Sequence, residues 1–163
     1  MIAVLQRVTA GRVEVDGITV GEIGRGYVVL LGVGHSDGDI EVQYLARRVQ
    51  ELRVFEDEQG RMNLSILDVD GAVLAVPQFT LLAGLRKGRR PDFLSAAEPE
   101  AARARFDQFV SCLRQRGVSV QTGRFGATMQ VSLVNSGPAT FVLDTAQLLD
   151  APRSARPDLP GRD

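Results

Sequence analysis

Tyr27-Val28-Val29-Leu30-Leu31-Gly32-Val33 is a continuous apolar run. A half-exposed strand alternates apolar and polar positions, so an unbroken run of this length predicts a strand buried on both faces. Around it lie shorter β-like runs, Ile2 to Val8, Arg12 to Val15 and Thr19 to Ile23, punctuated by Gly11, Asp16-Gly17 and Gly24. Asp16-Gly17 is a hairpin signal, because both central residues of the favoured turn need positive φ. Arg53-Val54-Phe55 and Ala72 to Val76 are further strands, with Asp57-Glu58-Gln59-Gly60 as a turn between them. Val118 to Thr122, Met129 to Val134 and Thr140 to Leu143 complete the set.

Two helices are expected. Val42, Leu45, Val49 and Leu52 recur at helical spacing over Asp39 to Leu52, with Glu41, Arg47, Arg48 and Glu51 mostly elsewhere on the wheel. Ser95-Ala96-Ala97-Glu98 has capping-box spacing; the helix it opens carries Phe106, Phe109, Val110 and Leu113 on one face and stops at Gly117. The resulting fold class is α/β in three layers, α/β/β. Two stacked or barrel-like, mostly antiparallel sheets have the two main helices on one face. Residues 1–145 form one domain. Residues 146–163 are expected to be a flexible tail, since Pro152, Pro157 and Pro160 join Arg, Asp and Ser there.

Composition removes several function classes. The chain has 163 residues and a formal net charge of -1, so any polyanion contact must come from a local basic patch. The single cysteine, Cys112, allows no internal disulfide and no Cys-rich zinc site. His35 is the one histidine, which rules out a two-histidine zinc site. Any Ser-His or Cys-His mechanism would have to run through it. It sits in Gly34-His35-Ser36-Asp37-Gly38, which reads as a turn before a helix. No metal and no cofactor are expected. The apolar start is broken by Gln6 and Arg7, too early for a signal core or a membrane span, so a cytoplasmic setting is expected.

Four polar stretches remain. Val76-Pro77-Gln78-Phe79-Thr80-Leu81 closes a strand with Gln78 and Thr80 beside Phe79. Arg86-Lys87-Gly88-Arg89-Arg90-Pro91 is the one dense cationic stretch, either a solvated loop or a phosphate contact. Thr122-Gly123-Arg124-Phe125-Gly126-Ala127 has two glycines that suit a simple turn or a close backbone approach. Asn135-Ser136-Gly137-Pro138-Ala139-Thr140 lies between two strands. Its Gly-Pro pair is either an ordinary turn or a rigid peptide that presents its carbonyls in one direction.

Taken together with Ala3-Val4-Leu5-Gln6-Arg7-Val8 and Asn63-Leu64-Ser65, these stretches resemble the D-aminoacyl-tRNA deacylase family from Met1 to about Asp144. The resemblance implies a homodimeric, tRNA-binding enzyme that hydrolyses the ester of D-aminoacyl-tRNA and of mischarged glycyl-tRNA. It implies that Gly137 and Pro138 enter the partner's site as a chiral filter with a cis peptide, rejecting L-aminoacyl-tRNA by sterics. Asn135 and Ser136 flank that filter, Arg7 orients it, and Phe125 and Met129 line the pocket. Backbone N–H groups around Gln78, Phe79 and Thr80 would fix the substrate and the oxyanion, with the terminal 2′-hydroxyl of the tRNA assisting the water. Thr80 has no base beside it in the sequence and is read as a positioning residue. Arg86, Lys87, Arg89 and Arg90 would contact tRNA. An aminoacyl ester is already activated, so this chemistry needs no histidine.

One residue departs from the family's usual Ser-Gln-Phe-Thr-Leu: Pro77 replaces the serine, removing a hydroxyl and a backbone donor. It bears on strictness toward L substrates. A related animal deacylase of relaxed chirality also opens this motif with Pro, but it lacks the Phe. Phe79 and Asn135-Ser136-Gly137-Pro138 keep the likeness with the D-specific branch. Two rival readings are a non-catalytic tRNA-binding module and the sister deacylase that clears mischarged L-amino acids.

Overall fold

The computed structural model describes residues 1–86 and 88–149. Lys87 and the part of the expected tail from residue 150 onward lie outside the described residues.

The long strand β1, Ile2–Val15, organises the chain. Its first half pairs antiparallel with β3, Gly26–Gly32, and its second half with β2, Ile18–Ile23. Its other edge pairs along nearly its whole length with β8, Gln130–Asp144. The β1–β2 turn is Asp16-Gly17, with φ values of 51° and 77°, which the Asp-Gly pair accommodates. β6, Ala72–Pro77, runs parallel to β3, and β7, Ser119–Thr122, runs parallel to β6. A separate small hairpin joins β4, Phe55–Glu56, to β5, Met62–Leu64.

The six-stranded sheet has order β2-β1-β3-β6-β7 with β8 on the far side of β1. It curls until β2 meets β7. A Cβ built on Gly21 would lie 2.7 Å from the Thr122 carbonyl oxygen, so only glycine permits the approach. The curl encloses a small core of Val8, Val13, Ile23, Val28, Leu74 and Val76. On the sheet's other face lie helices α1, Asp39–Glu51, and α2, Pro99–Gln115, over a larger core that includes Leu5, Tyr27, Leu45, Phe55, Phe109 and Leu113. The strand read as doubly buried therefore is: β3 has one core on each side. The expected α/β class with a barrel-like, mostly antiparallel sheet and two main helices on one face is what forms.

Several local expectations are corrected. Gly11 is not a break between two strands. β1 runs through it, paired to Ile23 and Leu133, and the residue is glycine because a Cβ there would come within 2.7 Å of Val28 Cγ2 in the enclosed core. Ser95 does not cap α2. The helix starts at Pro99 with Glu98 at the N-cap and no side-chain cap bond, while the Ser95 carbonyl accepts from the His35 N–H. Pro99 explains the later start, since proline at the first helical position lacks only an N–H that would be unpaired there. The chain also does not end its ordered run at 145: Thr145–Leu149 form a short helix α3, and Leu148 packs against the main core. Among the described residues no helix is long and apolar enough to cross a membrane.

Candidate active site

Gly137-Pro138 is not a turn between two separate strands. It lies inside β8, where the pairing with β1 breaks. Gln6 pairs with Thr140 and Val8 with Asn135, so four residues, Ser136 to Ala139, stand opposite the single residue Arg7. The surplus leaves the sheet as a large bulge, and the Gly137–Pro138 peptide within it is cis.

Arg7 holds the bulge from below. It is 6% exposed and directs its guanidinium in three directions. Nε donates to the Ser136 carbonyl at 2.8 Å, Nη1 to the Val54 carbonyl at 2.6 Å and Nη2 to Glu56 Oε1 at 3.2 Å. The bulge is also braced from within: Asn135 Nδ2 donates to the Arg7 carbonyl at 3.0 Å and reaches the Ala139 carbonyl at 3.4 Å. One side chain thereby serves two carbonyls that the broken ladder leaves open. A Cβ on Gly137 would fall 2.2 Å from Asn135 Oδ1, so a side chain there would displace the brace. Beside Arg7 on β3, burial pushes the Tyr27 phenol far above its ordinary range, and the Arg7 charge opposes that shift.

The second part of the site is a cavity of about 670 Å³. β6 ends at Pro77, beyond its pairing with β7, where the missing N–H is not called for. The Gln78 N–H closes the strand on the Leu31 carbonyl at 2.8 Å, and Phe79–Leu82 then form a single 3-10 turn rather than the strand end the sequence suggested. Pro77, Gln78 and Phe79 line one wall. The facing loop supplies Phe125 and Met129. Gly123 is there because the Met129 sulfur would lie 2.7 Å from a Cβ, and Gly126 because φ is 77°. Thr80 does not line the cavity; its hydroxyl accepts from the Gln78 amide. The first N–H groups of the turn, on Phe79 and Thr80, have no partner within it, as at any helix start.

Residues that the sequence reading missed complete the walls: Phe93, Glu98, Ala102, Thr128 and Val131. Phe93 packs edge-on against Phe79, ring centres 4.9 Å apart, and so ties the basic stretch to the cavity. That stretch is a hairpin loop, closed by paired backbone bonds between Gly84 and Asp92 and turning at Gly88, φ 74°. Arg86, Arg89 and Arg90 on it are exposed and form no ion pair with a described residue. An aromatic residue just after a basic loop was the available sequence signal for Phe93.

Two sets of residues are therefore separate within one chain. Gln78, Phe79, Phe125 and Met129 share the cavity. Arg7 and Ser136 line a different, smaller cavity of about 150 Å³, and neither Asn135, Gly137 nor Pro138 lines the large one. Among the described residues no group of three or more His, Cys, Asp or Glu comes together as a metal site.

Comparison with known proteins shows the family. The family model described as D-Tyr-tRNA(Tyr) deacylase matches residues 4–144. A D-aminoacyl-tRNA deacylase of Bacillus pumilus is 52% identical over 147 residues, spanning 90% of this chain and 100% of that protein. Its namesake from Thermus aquaticus is also 52% identical over 147 residues, spanning 90% and 97%. A solved structure described as a c-Myc DNA unwinding element binding protein superposes with a TM-score of 0.83 at 41% identity, covering 88% of this chain and 98% of that one. The chain belongs to the D-Tyr-tRNA(Tyr) deacylase family.

Proposed function

We propose that this chain is a tRNA-editing esterase that hydrolyses D-aminoacyl-tRNA, and mischarged glycyl-tRNA, to free amino acid and tRNA while rejecting L-aminoacyl-tRNA. The observation that carries this reading is the pairing of an apolar cavity around Gln78 and Phe79 with a rigidly braced Gly137-Pro138 bulge outside it.

The cavity and its filter belong to different subunits in this reading. A second copy inserts its bulge beside Gln78 and Phe79, and the bulge of this chain enters the partner. In support, the bulge does not line the cavity of its own chain, and β8 leaves Val131, Leu133, Val134 and Val142 exposed. The carbonyls of Gly137 and Pro138 hold the substrate's α-amino group, and a side chain of L configuration collides with the bulge. A hydrogen in either position fits, so glycine is accepted. Discrimination by exclusion does not depend on gripping a side chain, so many D-amino acids are substrates.

Chemistry needs little from side chains. Water attacks the ester carbonyl, the C–O bond to the terminal ribose breaks, and the acid and the ribose hydroxyl separate. The Phe79 and Thr80 N–H groups stabilise the oxyanion that forms, and the neighbouring ribose 2′-hydroxyl orients the water. Gln78 and Thr80 keep the turn in shape through their side-chain bond. Arg86, Lys87, Arg89 and Arg90 contact the tRNA backbone, and the enzyme works in the cytoplasm, where charged tRNA is found.

The direct test is release of tyrosine from D-tyrosyl-tRNA and of glycine from mischarged glycyl-tRNA by the purified protein. Release at substoichiometric enzyme supports the reading. Binding of both RNAs without release would make the chain a binding module.

A further inference from the structure

A cation on α2, apart from the basic hairpin, packs on one of the residues that line the cavity. Ala102 of α2 and Phe125 of the facing loop both line the cavity, and Arg103 follows Ala102 on the helix. Its guanidinium lies over the Phe125 ring, 5.3 Å from the centroid, and Nη2 reaches the Phe125 carbonyl at 3.5 Å. Phe125 is steadied from behind by Phe106, ring centres 6.4 Å apart.

This orientation is not the one that the helix surface favours. Glu100 and Asp107 lie three residues before and four residues after Arg103, the spacings at which helix ion pairs form. Arg103 pairs with neither of them, nor with Glu98, and forms no ion pair with any described residue. Stacking on Phe125 instead holds the cation against a residue that lines the cavity. Arg124, next to Phe125, is exposed and likewise forms no ion pair with a described residue.

A cation at that position has a use. The cavity lining contains no cation, while Glu98 lines it and Glu100 lies in the first turn of α2. A polyanion entering beside these carboxylates is repelled unless a cation offsets them. Arginine docked on an aromatic face is well suited, since the planar fork that remains exposed matches two phosphate oxygens.

We propose that Arg103 is a phosphate-contact residue for the single-stranded 3′ end of the tRNA, a second anchor that stands on α2 rather than on the basic hairpin. The inference rests on the aminoacyl-tRNA reading of the cavity and extends it to a residue outside the motifs.

The test is a salt series of binding isotherms with uncharged tRNA, for wild type, Arg103→Ala, Arg103→Lys and Arg116→Ala at the far end of the same helix. Loss of one contact to single-stranded RNA should lower the magnitude of the log K against log salt slope by about 0.7. Arg103→Ala should bind roughly threefold to tenfold more weakly at low salt, with the gap closing as salt rises. Arg103→Lys should keep the slope, and Arg116→Ala should match wild type. On tRNA lacking its 3′-terminal single strand, Arg103→Ala and wild type should bind alike. A wild-type slope in Arg103→Ala, or an equal loss at every salt concentration, would overturn the contact and leave the deacylase reading standing. Binding with the expected slope change but no ester hydrolysis by wild type would do the reverse. A wild type that binds no tRNA would overturn both.

Discussion

Arg7 Nε donates to the Ser136 carbonyl across 2.8 Å, joining two residues 129 positions apart in the chain. That bond is what turns a break in strand pairing into a fixed object. Without Arg7, the Ser136 and Val54 carbonyls lose their donor inside the protein, and the bulge keeps only the Asn135 brace.

Arg7→Ala should therefore lower stability by about 2–4 kcal/mol, the range for leaving buried polar groups unpaired. Arg7→Lys should not restore it, because an ammonium cannot address three acceptors in the plane of a guanidinium fork. Urea denaturation reads the stability. Folded Arg7→Lys should also lose discrimination between D- and L-tyrosyl-tRNA more than it loses total hydrolysis.

Gly137→Ala places a methyl 2.2 Å from the present position of Asn135 Oδ1, so the amide must move. Displacing Asn135 opens the hydrogen bonds to the Arg7 and Ala139 carbonyls. The expected cost is about 1–3 kcal/mol from the opened bonds, with a large fall in kcat/KM for D-tyrosyl-tRNA. Thermal denaturation together with steady-state hydrolysis checks both. Wild-type stability in this variant would show that the brace is dispensable.

Acid sensitivity has a definite sign. Hydrogen bonds from Gln108 and Arg105, and then the Arg105 charge, hold the Asp39 carboxyl below its ordinary range; this triad ties the start of α1 to α2. A carboxylate whose folded pKa is lowered contributes stability above its unfolded pKa, and that contribution is lost as pH falls through the folded value. Asp57 and Asp68, held low chiefly by hydrogen bonds from Arg61 and Ser65 respectively, act in the same direction. Asp39→Asn should be less stable than wild type near pH 7, and the difference should shrink below about pH 4. A gap of constant size across that window would mean that the carboxylate's charge contributes nothing.

Arg89→Ala and Arg90→Ala on the exposed hairpin should leave the fold intact and weaken tRNA binding in a salt-dependent way, each lowering the slope by about 0.7–0.9 if it touches one phosphate. Unchanged affinity at low salt would show a loop that is merely solvated. Both outcomes come from binding isotherms, with circular dichroism as the control on folding.

What could be read from the sequence was what local chemistry decides. Asp16-Gly17 makes its turn from its own φ preferences, and the Tyr27–Val33 run declared its double burial. Gly11 misled because its reason is Val28, seventeen positions away and across the enclosed core. Ser95 misled because capping-box spacing says nothing of Pro99 or of the bond to His35. At the site, the motif residues Gln78, Phe79, Phe125 and Met129 could be named, and the cavity unites them. Glu98 and Ala102 could not, since only the docking of α2 beside the 123–129 loop brings them to the cavity.

The measurement closest to the central claim is the ratio of kcat/KM for D-tyrosyl-tRNA over L-tyrosyl-tRNA, on the same tRNA under the same conditions. A filter that excludes the L side chain by collision should give a ratio of roughly 100 or more, since steric rejection worth about 3 kcal/mol suffices. Pro77 in the cavity wall makes this chain a demanding case for that expectation. Comparable hydrolysis of both enantiomers would contradict the chiral-filter account of Gly137 and Pro138.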